Sequence, residues 1–462
     1  MKLATLVIMA ALAFSQSAGP RLAGTWQGTL SAGASSLHLV LHVSRPHGAL
    51  AIVLDSPDQG VAALAGSDVA LKGNQFSFAI PSVHGTFTGT VSADGNSIKG
   101  TWSQGVPLPL TFTRGPAAKP QPPVPLDKLQ PLLDAHLEPL VGSDGLVVGV
   151  WQRGAEKMFA YGTAAPDSLF EIGSITKPFT ALALAQMVEQ HQLTLEEPVR
   201  QLLPPGSLPA APPGGPITLM DLATQHSGLP RLPPNLLPGA DPTDPYARYG
   251  SKQLLAYLAQ QGLVRPANAP FLYSNFGFGL LGFVLAQHAG ISYAELIQRE
   301  VTGPLGMRNT FVVVPAAEHG RLLAGHSASG KAVSNWHFEA LAGAGALRST
   351  AGDLLTFLAA QMHPPAAGTL PRALALTHTL RADGPPGMQV GLGWLYTPHS
   401  KTYWHDGGTG GYSSFALFRP DADFAVVVLY NRQDLGSGKA PLANWVAAYV
   451  AALLTGEPAP AL

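Results

Sequence analysis

The stretch Phe170-Glu171-Ile172-Gly173-Ser174-Ile175-Thr176-Lys177-Pro178-Phe179-Thr180 passes from a short apolar approach through a Gly-Ser turn into Ala181-Leu182-Ala183-Leu184-Ala185-Gln186-Met187-Val188, a run of strong helix formers. A helix is therefore expected to begin near Ser174. Three residues on is about 300° round an α-helix, so Lys177 would stand one turn above Ser174 on nearly the same face, with hydroxyl and amine in reach. A serine hydroxyl is a weak nucleophile until a base takes its proton, and a lysine desolvated in a cleft loses enough proton affinity to help. The helix start adds unpaired backbone N–H groups that favour negative charge. The same residues also fit a plain helix cap followed by a solvated lysine, and Ser-x-x-Lys alone does not separate the two.

Composition narrows the function. A chain of 462 residues exceeds what one core usually serves, so two or three domains are expected, one of them able to house a catalytic core. Charged residues make up 12%, the net charge is -1, and Gly and Pro are abundant. Such a balance argues against a nucleic-acid partner and against a basic membrane surface, and leaves a small-molecule substrate. Met1-Lys2, the apolar run Leu3 to Phe14 and the small residues Ser15, Ser17 and Ala18 read as a signal peptide over residues 1–18, too short for a stable bilayer anchor. A secreted or periplasmic protein is expected. It has no cysteine, hence no disulfide and no cysteine for a lipid anchor. No later segment is an uninterrupted apolar run of transmembrane length; Phe276 to Ala289 comes nearest and reads as a buried helix.

Period-two alternation in Leu37 to Val43, and more loosely in Gln75 to Ile80, Gly85 to Val91 and Leu108 to Thr113, predicts strands separated by turns at Gly73-Asn74, Asp94-Gly95-Asn96 and Gly105. Residues 20–114 thus read as a small antiparallel β barrel or sandwich. His38 and His42 lie about 13 Å apart along such a strand, too far for one metal ion. The proline-rich residues 115–125 read as an extended linker. Beyond it, an opening helix and strands at Gly145 to Gln152 and Glu156 to Tyr161 lead into the Ser174 turn. A mostly helical middle from Thr180 to about Pro371 is followed by strands at Lys401 to Trp404, Ser413 to Phe418 and Phe424 to Tyr430, then a helix from Ala440 to Leu454. This order predicts one antiparallel sheet built from both ends of the larger domain.

Two further motifs stand at useful places. Tyr273-Ser274-Asn275 immediately precedes the apolar helix, and His405-Asp406-Gly407-Gly408-Thr409-Gly410-Gly411 lies between two predicted strands, rich enough in glycine to let a ligand approach the backbone. Singly, each has a dull reading, a helix entry and a loose hairpin. Together, in this order, they resemble the active-site set of the serine β-lactamase and penicillin-binding-protein superfamily, especially class C β-lactamases, serine DD-peptidases and related esterases. Ser174-Ile175-Thr176-Lys177 resembles its S-x-x-K, Tyr273-Ser274-Asn275 its Y-x-N, and His405-Asp406-Gly407 its third box, K-T-G in the lactamases and often H-x-G elsewhere. Further likeness runs through His226-Ser227-Gly228-Leu229-Pro230, Thr302 to Met307, Gly345 to Leu354 and Gly410 to Ser413, covering about residues 126–455 and leaving out the N-terminal β region.

The resemblance implies a catalytic domain over 126–458 with an α/β lobe, an all-α lobe and the cleft between them, preceded by the small all-β domain. It implies Ser174 as acylated nucleophile, Lys177 and Tyr273 as the proton-handling pair, and Asn275 orienting Lys177 and the substrate amide. The backbone N–H groups of Ser174 and Gly408 would form the oxyanion hole, and His405 would face a substrate carboxylate or join the proton relay. Neither a metal nor an organic cofactor is implied. The substrates would be β-lactams, D-amino-acid peptides or esters, with peptidoglycan a candidate polymeric partner. His405 replaces the permanent ammonium of K-T-G with an imidazole whose ordinary pKa is near 6.5, so carboxylate readout should be weaker unless Asp406 raises that pKa.

Three rival readings are weaker. Gly325-His326-Ser327-Ala328-Ser329 lacks the second glycine of a nucleophile elbow, and the residues before it are too short for the strand that elbow needs. Gly436-Ser437-Gly438-Lys439 lacks the flanking residues of a phosphate loop and reads as a turn. A catalytically retired homologue that binds peptidoglycan or a protein should have lost the serine, lysine or tyrosine, and all three are present.

Overall fold

A computed structural model describes residues 22–32, 35–45, 49–56, 61–115, 121–209, 215–263, 265–266, 269–366, 368–385, 387–434, 441–457 and 459. The signal-peptide residues 1–18, residues 116–120 of the linker and the turn at 436–439 lie outside the described residues. The chain divides into two compact units, Met1–Ser56 with Leu64–Ala117, and Ala118–Leu462 with Pro57–Ala63.

Up to Arg114, strands β1 (Gly24–Ala32), β2 (Ser35–Ser44), β3 (Ala51–Ser56), β4 (Val61–Ala65), β5 (Ser67–Lys72), β6 (Gln75–Ile80), β7 (Gly85–Val91), β8 (Ser97–Gln104) and β9 (Val106–Arg114) form one sheet. Its order is β4-β3-β2-β1-β9-β8-β7-β6-β5. Each strand thus lies beside a chain neighbour, and the last returns antiparallel to the first, Trp26 opposite Arg114. The Gly66 N–H reaches the Ile52 carbonyl at 3.0 Å, drawing the two ends of the sheet together. Strict alternation in β7 turns Phe87 inward, where Trp26, Phe76, Phe78, Trp102 and Phe112 are also buried.

The second unit opens with α1 (Leu129–Val141), the hairpin β10 (Gly145–Gln152) and β11 (Ala155–Gly162), and the short β12 (Phe170–Glu171). Helices α2 (Thr176–Glu189), α3 (Leu219–Ala223), α4 (Ser251–Gln261), α5 (Asn275–Ala289) and α6 (Tyr293–Ile297) follow. The chain then passes through β13 (Gly325–His326), β14 (Ala332–Val333), β15 (Arg348–Ser349), α7 (Ala351–Met362) and α8 (Leu370–His378). It finishes with β16 (Ala382–Asp383), β17 (Gln389–Val390), β18 (Leu395–Thr397), β19 (Thr402–Gly408), β20 (Ser413–Arg419), β21 (Phe424–Tyr430) and α9 (Leu442–Thr455). The eight-stranded sheet has the order β11-β10-β21-β20-β19-β18-β17-β16, so the first and last strands of the unit meet, Val148 opposite Val428. One antiparallel sheet from both ends of the chain is what the sequence predicts.

Strand β21 shows why the sheet carries helices on both sides. All seven of its residues are buried. Phe424, Val426, Val428 and Tyr430 pack with α1 and α9, while Ala425, Val427 and Leu429 belong to the larger core that includes α2, α5 and α7. A strand buried on both faces reads as a continuous apolar run, as Phe424-Ala425-Val426-Val427-Val428-Leu429-Tyr430 does. Among the described residues no single helix is long and apolar enough to cross a membrane, and the apolar α5 is largely buried.

Three details depart from the sequence expectation. The middle is less helical than predicted: between α6 and α7 the chain has only short helical turns and two-residue strands. His405 to Gly408 belong to β19 itself, paired with Ala416, Phe415, Ser414 and Ser413, and the loop is confined to the residues after Gly408. Glycine depresses local strand propensity, but the β20 ladder supplies what propensity lacks. The described end of the linker is packed rather than free, since the Val124 N–H donates to the Leu453 carbonyl at 2.8 Å.

Candidate active site

Ser174 occupies a single helical turn, Gly173–Ile175, that leads directly into α2. Neither segment has a side-chain cap bond, so the plain-cap reading of Ser174 fails. The Lys177 side-chain nitrogen instead lies 2.8 Å from Ser174 Oγ. It also donates to Asn275 Oδ1 at 2.8 Å and to the Ala344 carbonyl at 2.8 Å. Lys177 is fully buried, whereas Ser174 is partly exposed. The hydroxyl therefore faces the cleft and the amine lies beneath it. Burial, with the Arg231 guanidinium adding to it, holds the Lys177 pKa well below the usual lysine range, and Asp406 offsets only part of this.

Tyr273 and Asn275 are delivered by the residue between them. The Ser274 hydroxyl caps α5 by accepting from the Gly277 N–H at 2.8 Å and donates to the Pro230 carbonyl at 2.6 Å. The Ser274 N–H is held by Gln225 Oε1 at 2.8 Å. With its middle residue pinned this way, the tripeptide presents Asn275 to Lys177 and sets the Tyr273 ring 4.8 Å from Lys177 Nζ. Burial, then Asp406, push the Tyr273 phenol above its usual range, while the Ser174 hydroxyl and Arg231 pull it back.

His405 is 3% exposed, and its ring centre lies 6.1 Å from that of Tyr273. Nδ1 faces the Asp406 carbonyl at 2.6 Å. Burial and the neighbouring Lys177 push its pKa down to about 3, against the opposing pull of that carbonyl. The Asp406 carboxylate, 3.9 Å from Nδ1, does not reverse this. The rise in pKa that Asp406 was expected to be able to give is not seen: burial favours the uncharged imidazole, in keeping with the weaker carboxylate readout expected of His405.

Gly408 stands beside the nucleophile turn. A Cβ on Gly173, whose φ is +49°, would fall 2.6 Å from Gly408 N, and one on Gly407 would fall 2.1 Å from the Ile172 carbonyl oxygen. Only glycines allow the turn and the strand to approach so closely. The structure thus gathers Ser174, Lys177, Tyr273, Asn275, His405 and Gly408 in one cleft. Ser174, Asn275 and Gly408 line a small pocket whose far wall is Tyr246, Trp336 and Phe338. Tyr246 stacks on Phe338 at 4.4 Å and tilts against Trp336 at 5.3 Å. A buried Arg348–Glu171 ion pair at 2.9 Å supports this wall, because Glu171 Oε1 accepts from the Trp336 N–H at 2.8 Å.

Sequence reasoning missed Arg231, Tyr246, Trp336 and Phe338. Arg231 directly follows His226–Pro230, which carries family likeness, so its position was the available signal; the aromatic residues lie on irregular segments without periodicity. Ser327, in the rejected nucleophile-elbow reading, follows the two-residue β13 in an exposed turn and bonds only locally, to Ser329 and Lys331.

The beta-lactamase family model matches residues 133–450, well over half of the chain. A beta-lactamase of Pseudomonas fluorescens is 29% identical over 357 residues, covering 66% of this chain and 94% of the relative. The D-alanyl-D-alanine-carboxypeptidase/endopeptidase AmpH of Escherichia coli (strain K12) is 27% identical over 317 residues, covering 64% and 81%. The crystal structure of a class C beta lactamase from Rhodobacter sphaeroides superposes with a TM-score of 0.57 at 26% identity, covering 70% of this chain and 96% of that one. The chain belongs to the beta-lactamase family and is a serine hydrolase of the β-lactamase type.

Proposed function

We propose that the protein is an exported hydrolase that forms an acyl-enzyme on Ser174 and acts on β-lactams, D-amino-acid peptides or esters. The observation that carries this reading is the buried Lys177 amine, which has three oxygen neighbours at 2.8 Å, none of them a carboxylate. A neutral amine has two N–H donors and one lone pair. Donating to Asn275 and Ala344 leaves the lone pair for the Ser174 O–H, which is the arrangement of a base beside its nucleophile.

In the first step the Ser174 proton passes to Lys177, with Tyr273 as the neighbouring relay, while Oγ bonds to the substrate carbonyl carbon. The oxyanion is held by the Ser174 and Gly408 N–H groups, donors whose loss costs a few kcal/mol in acyl-transfer enzymes. The Tyr273–Lys177 pair then gives the proton to the leaving nitrogen or oxygen. Water, deprotonated by the same pair, attacks the ester and frees Ser174. Export rests on the signal-peptide reading of residues 1–18. The AmpH relative is named as a peptidase and the Pseudomonas fluorescens relative as a lactamase, which supports a shared amide-cleaving chemistry.

Ser174→Ala should fold normally, lose at least about 10³-fold in kcat/KM on short p-nitrophenyl esters and nitrocefin, and no longer take a fluorophosphonate label. A mass adduct on any other serine of the wild-type protein would refute the assignment.

A further inference from the structure

Burial disfavours the charged form of His405, so β19 offers no permanent cation to a substrate carboxylate, and a different residue beside Tyr273 carries one. Arg231 is exposed, and its guanidinium carbon lies 5.2 Å from the centre of the Tyr273 ring. Its backbone is fixed beside the site, because the Arg231 carbonyl accepts from the Phe276 N–H at 3.1 Å, one residue beyond Asn275. Arg231 forms no ion pair with any described residue. Asp406 acts on Lys177 and Tyr273 with the opposite sign, and its own pKa is raised chiefly by burial.

We propose that Arg231 is the specificity-determining residue that binds a carboxylate on the substrate, in place of the cation missing from β19. The proposal rests on the acyl-enzyme reading of Ser174. A guanidinium over an aromatic face keeps its N–H edge open to solvent and to a ligand, and two parallel N–H groups match a carboxylate in both charge and shape. Because the charge is permanent, this recognition operates at every pH at which the site is active. With its backbone tied to the start of α5 and its guanidinium 5.2 Å from the Tyr273 ring centre, Arg231 offers the anion a place near the nucleophile rather than a floating surface charge.

The test compares phenylacetyl-thioglycolate, which carries a carboxylate on its leaving group, with its methyl ester, which has the same scissile thioester and no charge. In the wild type the ratio of the two kcat/KM values should fall as salt is raised to about 0.5 M, where a charge contact is screened. Arg231→Gln should cut the ratio about tenfold, chiefly through KM of the acid, and abolish its salt dependence, while Arg231→Lys should keep part of both. An unchanged ratio in Arg231→Gln overturns the proposal, including the case in which both substrates slow equally because Arg231 acts only through Tyr273 and Lys177. Fluorophosphonate labelling of Ser174 in the wild type separates the two readings. Absent labelling sinks the acyl-enzyme mechanism, whereas intact labelling with an unchanged ratio sinks only the role of Arg231.

Discussion

His405 shows how burial overrides the ordinary chemistry of a residue. Its identity and place in the third motif are legible in the sequence, but its charge is not, because the sequence does not reveal that the imidazole is buried under the influence of Lys177. Burial likewise lowers the proton affinity of Lys177, so neither group need carry charge near neutrality. The consequence for stability has a definite sign. The unfolded chain takes up a proton on His405 near pH 6.5, and the folded chain refuses it until about pH 3. Stability is therefore fully present above pH 6.5 and is lost as pH falls through that window, at up to about 1.4 kcal/mol per pH unit. His405→Gln removes this titration. Calorimetry between pH 7 and pH 5 should show a smaller drop in Tm for the variant than for the wild type. Equal drops would mean that the folded protein protonates His405 readily.

At the scale of elements, what was legible followed periodicity and what was missed followed close approach. The limits of β6, β7, β10 and β21 agree with the predicted strands because alternation or an unbroken apolar run marks them. The last residues of β19 were read as loop, since a run of glycines gives no propensity signal, and their pairing with β20 is a tertiary fact. Their glycines answer to the nucleophile turn. Gly407 leaves room for the Ile172 carbonyl, which accepts from Ser414 Oγ at 2.9 Å, and a methyl there would also fall 2.4 Å from that Oγ. Gly407→Ala must push the Ser174 turn away from β19 and disturb the spacing between Ser174 and the Gly408 N–H. A displacement near 1 Å in a catalytic constellation costs on the order of 10²-fold. Ester hydrolysis should fall by about that factor, with KM changed far less than kcat. A variant with wild-type kcat would show that the turn and strand adjust independently.

The described residues build three cores on one chain, one in the first unit and two in the second. The core of the first unit draws all its residues from Leu22 to Phe112, and the two cores flanking the larger sheet draw theirs from Leu129 to Leu454. The sequence announced this division through the change from short alternating segments to long helical ones across a proline-rich stretch. It did not announce that Val124 and its neighbours are bound to α9, because a proline-rich segment looks extended whether it is free or packed. The site residues all come from the second unit, and their supports come from it too: Ser274 is held through Gln225 and Pro230, and the aromatic wall through Glu171 and Arg348. A chain beginning at residue 121 retains every one of these contacts and the Val124 bond. It should fold and hydrolyse p-nitrophenyl acetate with kcat/KM within about threefold of the full-length protein, since separate cores fold separately. The β unit is then expected to act on polymeric substrate, and its removal should weaken retention on insoluble peptidoglycan in a sedimentation assay. A fragment that melts cooperatively yet fails to hydrolyse the small ester would show that the first unit completes the site.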